Sequence, residues 1–144
     1  MKLFKKEKIM EENEINLEYE DIKKLLQFIP FFESNETKYT VENELTFDPY
    51  RYSEKFYDFI MLASESLAIV GFDWHTFYEE DPSFNKGTLA GKVKEMDLHT
   101  IRKWMTTMIR LERFNSGTYA QMIDQGMFLA ILQRIKQLLD DESI

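Results

Sequence analysis

The chain has 144 residues, 44% of them hydrophobic and 31% charged, with a formal net charge of −8 and no cysteine. That mixture belongs to a globular domain able to enclose one continuous core, and the lack of thiols excludes a disulfide scaffold, a zinc ribbon, an iron–sulfur site and a cysteine nucleophile. No apolar run approaches the roughly 20 residues that span a bilayer, so a single helical domain over residues 1–144, cytoplasmic and without membrane contact, is expected.

Residues 1–8 carry four lysines and one glutamate and lead into Glu11, Glu12 and Glu14. A secretory signal needs an apolar stretch there, so residues 1–15 are read as a mobile N-terminal segment. Over residues 17–29, Ile22, Leu25, Leu26 and Ile29 form one stripe at helical spacing, with Glu18, Glu20 and Asp21 in the first turn, where the helix dipole favours negative charge. This helix is predicted to end near Pro30, whose ring and missing N–H interrupt the ladder. Tyr39, Val41, Leu45 and Phe47 then alternate with Thr40, Glu44 and Thr46. The period of two predicts a short β-hairpin or extended arm around residues 38–47, turning at Glu42 and Asn43.

Ser53 stands where an N-cap belongs, and Phe56, Phe59, Ile60, Ala63 and Leu67 follow on one face as far as Gly71. Residues 79–95, with Pro82, Gly87 and Gly91, lack a periodic pattern, and a connection of that length in a compact domain is functional or mobile. Asp97 caps a helix with an apolar face of Leu98, Ile101, Trp104, Met105, Met108 and Leu111. Gly117 and Gly126 then bracket a short helix around Tyr119, Met122 and Ile123, and a longer one carries Phe128, Ile131, Leu132, Ile135 and Leu138. The pattern predicts an all-α fold of about five helices in one compact domain.

His75 and His99 are the only imidazoles, far apart and without a helical partner, so no metal site is predicted. Neither a strained serine elbow nor a phosphate loop is present. No catalytic residue and no cofactor is therefore assigned, and the reading leans away from an enzyme. Residues 119–135 have the outline of a helix-turn-helix, but the helix that would read bases begins with Met127, Phe128 and Leu129, which belong in a core. The candidate binding residues are Arg110 and Arg113, i, i+3 neighbours whose guanidiniums can converge on an anion, together with Asp73, Trp74 and His75. Between Phe72 and Trp74, Asp73 is expected to turn inward and to pair with at least one of the two arginines.

Three segments taken in order, Pro49-Tyr50-Arg51-Tyr52-Ser53-Glu54, Phe72-Asp73-Trp74 and Arg110-Leu111-Glu112-Arg113-Phe114-Asn115-Ser116-Gly117, resemble a family of small bacterial proteins known as a domain of unknown function, number 6508. The likeness covers residues 17–139 and implies a shared fold with no assigned activity. Tyr52, Ser53, Phe72, Phe114, Gly117 and Gly126 are its expected structural positions. Where relatives often place a cysteine after the Arg-Phe pair, this chain has Asn115, so no thiol mechanism carries over. The function expected from the residues themselves is a non-catalytic helical module that binds another protein or a second copy of itself, with 15% aromatic residues and eight methionines as adaptable contact material. One alternative is an enzyme or small-ligand domain with an Arg110/Arg113 anion clamp. Another is nucleic-acid binding through the mildly basic residues 92–136, which the acidic remainder disfavours.

Overall fold

The computed structural model describes residues 19–42 and 47–142. The expected N-terminal segment 1–15 lies outside the described residues, as do Asn43 and Leu45 of the expected arm. The described chain is mostly helical, with one two-stranded antiparallel hairpin.

Helix α1 (residues 19–33) does not stop at Pro30. It tightens into a 3₁₀ turn at Leu26–Phe28 and continues as α-helix over Ile29–Glu33. The reason is local: Pro30 has no N–H to give to the carbonyl of Leu26, and the tightened turn supplies the N–H of Ile29 instead. The hairpin also differs from expectation. Strand β1 (Tyr39–Val41) pairs with β2 (Tyr50–Tyr52), Tyr39 opposite Tyr52 and Val41 opposite Tyr50. Phe47, assigned to the second arm from its alternation, is fully exposed. What β2 adds is a tyrosine face: the rings of Tyr39, Tyr50 and Tyr52 lie 6.1–6.5 Å apart, close enough for cross-strand pairing.

Ser53 caps α2 (Glu54–Leu67), accepting the N–H of Phe56 at 3.2 Å. The helix ends at Leu67, short of Gly71, because tertiary partners take its last groups: Arg102 Nε donates to the Leu67 carbonyl at 3.0 Å, and the N–H of Ile69 donates to Thr106 Oγ1 at 2.9 Å. Asp73 caps α3 (Trp74–Glu80). The stretch read as a long irregular loop is organised as well. Phe84, Leu89 and Val93 are fully buried, and α4 (Leu89–Lys92) runs into a 3₁₀ turn at Val93–Glu95. Asp81 accepts from the Ser83 hydroxyl and from the Ser83 N–H at 2.9 Å, while Lys92 Nζ donates to Ser83 Oγ at 2.5 Å. Short-range polar ties of this kind leave no hydrophobic period to read.

Helix α5 (Leu98–Phe114), capped by Asp97 through the N–H of Thr100 at 2.8 Å, is the central element. It packs against α2, α3, α6 (Thr118–Asp124) and α7 (Met127–Asp140). Being covered on more than one side, it buries two threonines as well as its apolar face, and their hydroxyls donate to the carbonyls of Arg102 and Lys103 at 2.8 Å. Helix α7 lies on α1 and α4, with Met127 and Phe128 in the core, where Phe128 meets Phe56 and Phe59 edge to face at 5.4 and 5.3 Å. The described chain thus has seven helices where about five were expected, the extra ones being α3 and α4. No described helix is long and apolar enough to cross a membrane.

Candidate functional site

Two of the motifs, sixty residues apart, meet at one place. The alternation of β2 puts Tyr50 and Tyr52 on the face towards α6 and Arg51 on the other, where Arg51 pairs with Glu42 at 3.3 Å. Tyr52 donates its hydroxyl proton to Glu112 Oε1 at 2.6 Å and accepts the N–H of Ala120 at 3.2 Å. Glu112 also accepts from the N–H groups of Gly117 (3.4 Å) and Tyr119 (3.3 Å). Helix α6 begins on Gly117, which has no side chain to cap it. A carboxylate from the preceding helix performs that task, at the helix end where negative charge is favoured.

Burial pushes the Glu112 carboxyl above its ordinary value, and the hydrogen bonds from Tyr52 and the backbone oppose that rise. Burial, with the hydrogen bond to Glu112, pushes the Tyr52 phenol well up. Tyr50 lies over Gly117 (φ +96°), where an added Cβ would fall 2.5 Å from its ring. Tyr39 donates to both oxygens of Asp124, at 2.8 and 3.0 Å, and this contact drives its phenol up to about 12. Between the hairpin and α6 an open cleft of about 540 Å³ remains, with Tyr50, Ser116, Gly117, Gln121, Asp124 and Gln125 in its wall.

The residues predicted as a binding site do not form one constellation: Trp74 and His75 line a groove with Leu111 and Phe114, whereas Arg113 lies near enough to Tyr119 to act on its phenol. Asp73 does not turn inward. It is exposed, and its carboxylate accepts the Thr76 hydroxyl at 2.8 Å and the Thr76 N–H at 3.2 Å, which lower its pKa. As the cap of α3 it satisfies a free helix donor, and no ion pair joins it to Arg110 or Arg113. Those arginines are half-buried and exposed respectively, and among the described residues neither makes an ion pair. Trp74 and His75 do come together with the end of α5. The Trp74 ring stacks on Phe114 at 6.0 Å and 19°, and with His75, Tyr78 and Leu111 they enclose an apolar groove of about 420 Å³. Phe114 is 79% exposed. His75 Nδ1 lies 3.5 Å from Glu79, and among the described residues no three His, Cys, Asp or Glu side chains are placed to hold a metal.

Of the expected structural positions, Ser53 caps, Tyr52 bonds Glu112, and Gly117 and Gly126 begin α6 and α7 in left-handed conformations. Glu112, Tyr39, Tyr50 and Asp124 were missed. Glu112 stands inside the Arg110–Gly117 segment, and the signal for it was Gly117 at a helix start with no capping side chain of its own.

The Family of unknown function (DUF6508) has a family model that matches residues 17–141. No curated protein and no solved structure matches the chain.

Proposed function

The chain belongs to the DUF6508 family of unknown function, and we propose that it acts as a non-catalytic protein-interaction module that docks an acidic segment of a partner in the groove between α3 and the end of α5. The observation that carries this reading is Phe114, a large aromatic side chain left 79% exposed and stacked on Trp74 at the lip of an apolar groove. Aromatic anchors beside a concave apolar surface are the usual centre of an interface. The charge of the occupant follows from the last turns of α5, next to the groove. Arg110 stands one helical turn before Phe114 on the same face, Arg113 is its i+3 neighbour, and neither guanidinium has an acidic partner among the described residues. A segment with one apolar or aromatic side chain for the groove and carboxylates for the arginines complements both features.

The test is a titration of the full chain with a short peptide alternating glutamate and phenylalanine, read by tryptophan fluorescence. Saturable binding that Phe114→Ala abolishes and Arg110→Glu/Arg113→Glu weakens supports the reading. No binding, or binding indifferent to Phe114→Ala, overturns it. Because Phe114 is exposed, its removal leaves the fold intact for the comparison.

A further inference from the structure

We propose that the cleft beside Gly117 is a second and separate site, one that takes an organic ammonium ion. Several donors around it are already engaged by carboxylates. The N–H groups of Gly117 and Tyr119 go to Glu112, the Ser116 hydroxyl goes to Asp48 at 2.5 Å, and the Tyr39 hydroxyl goes to Asp124. No lysine or arginine stands in the wall, and the nearby Arg51 is engaged by Glu42 and by the carbonyls of Asp48 and Tyr50. The wall then offers the Asp124 carboxylate, the side-chain amides of Asn115, Gln121 and Gln125, whose oxygens accept, and the ring of Tyr50.

Gln125 is tied into the wall from the protein side. Its Nε2 donates to the Phe84 carbonyl at 3.4 Å, which orients the amide, and its Oε1 is buried with no hydrogen-bond partner among the described residues. A metal ion is the poorer candidate, since among the described residues no cluster of three ligating side chains exists. An ammonium group needs less. One oriented carboxylate, neutral acceptors and an aromatic ring recognise it together, and Tyr39 holds the Asp124 carboxylate in place for that purpose. A free amine and a lysine side chain both carry such an ammonium; the chemistry is shared.

Amide chemical-shift titrations of the full ¹⁵N-labelled chain test this with three probes: spermidine, Nα-acetyl-lysine amide, and the same lysine derivative acetylated on Nε. Saturable shifts at Gly117, Gln121 and Gln125 are expected with the charged probes and not with the neutral one. Spermidine alone identifies a free amine as the ligand, and the lysine derivative identifies a protein side chain. Asp124→Asn is expected to weaken binding about tenfold, and Tyr39→Phe, which keeps the carboxylate but frees it, less. Equal shifts with the neutral probe overturn the proposal. So do shifts that spread without saturation over the acidic surface, or shifts that survive Asp124→Asn. None of these outcomes depends on the aromatic groove.

Discussion

Tyr52 on the hairpin and Glu112 near the end of the central helix are joined by a 2.6 Å hydrogen bond, and the same carboxylate receives the first N–H groups of α6. Strand, central helix and the start of the next helix are therefore fastened through one half-buried acid. Tyr52→Phe removes the donor and leaves the N–H of Ala120 without its acceptor, which is expected to cost about 1–3 kcal/mol. Glu112→Ala is expected to cost at least as much, because two backbone donors lose their partner as well. Denaturant melts of both single variants and the double variant check the coupling: a double loss clearly smaller than the sum supports the shared network, and strict additivity refutes it.

Asp73 and Arg113 are expected to behave as strangers. Asp73→Ala removes an exposed cap from a seven-residue helix, so stability falls slightly through α3 alone. Melts of Asp73→Ala, Arg113→Ala and their combination should add. A measurable coupling energy would restore the ion pair that the geometry lacks.

The helices with a clear period were legible in the sequence, and so were the caps at Ser53 and Asp97, because these signals lie within a few residues of each other. The course of α1 through Pro30 was not, since the proline signal is local and the turn that relieves it leaves no compositional mark. The short helices α3 and α4 escaped for a related reason. Their buried residues are few, and α4 is held by the tie among Asp81, Ser83 and Lys92 rather than by a stripe. At the candidate sites, the aromatic groove was half legible: Trp74 and His75 were singled out for chemistry, but their partner Phe114 was assigned to structure. The Asp73 pairing failed because flanking aromatic residues do not turn an acid inward when the next helix needs a cap. Contacts such as Tyr39 with Asp124, eighty-five residues apart, carry no signal at all in a single sequence.

The phenols set an alkaline limit. Tyr39 is raised to about 12 by its hydrogen bond to Asp124, and Tyr52 and Tyr119 are raised chiefly by burial. A group raised in the folded state binds its proton more tightly there than in the unfolded chain. Its contribution is complete below the unfolded phenol value, about 10, and is lost as pH rises through the folded values. Stability is thus expected to decline from about pH 10 upwards, tracking tyrosinate absorbance. Glu112, raised by burial, follows the same sign at lower pH: its contribution is present below the unfolded carboxyl value and lost as pH rises through its folded pKa. Asp73 and Asp97, lowered by their bonds to Thr76 and Thr100, run the other way and lose their contribution as pH falls through their folded values. Glu112→Gln should therefore lose stability faster on acidification than the parent chain; an unchanged acid limb would contradict the assignment.

Gly117 and Gly126 separate backbone conformation from packing. Both have positive φ, +96° and +71°, and both begin helices, but nothing lies within 4 Å of a Cβ placed on Gly126, whereas one on Gly117 meets Tyr50 at 2.5–2.9 Å. Gly126→Ala bears only the left-handed backbone cost, about 1–2 kcal/mol. Gly117→Ala bears the same cost and must displace the ring of Tyr50, which adds about 1–3 kcal/mol of overpacking. The prediction is sharpened by relieving the clash: Tyr50→Ala in the Gly117→Ala background should recover stability, although alone it removes packing from the hairpin. Chemical melts of the four variants decide it. If Gly117→Ala is no worse than Gly126→Ala, or Tyr50→Ala gives no recovery, then Tyr50 is not held against the backbone of Gly117, and the cleft that both residues line has no fixed wall there.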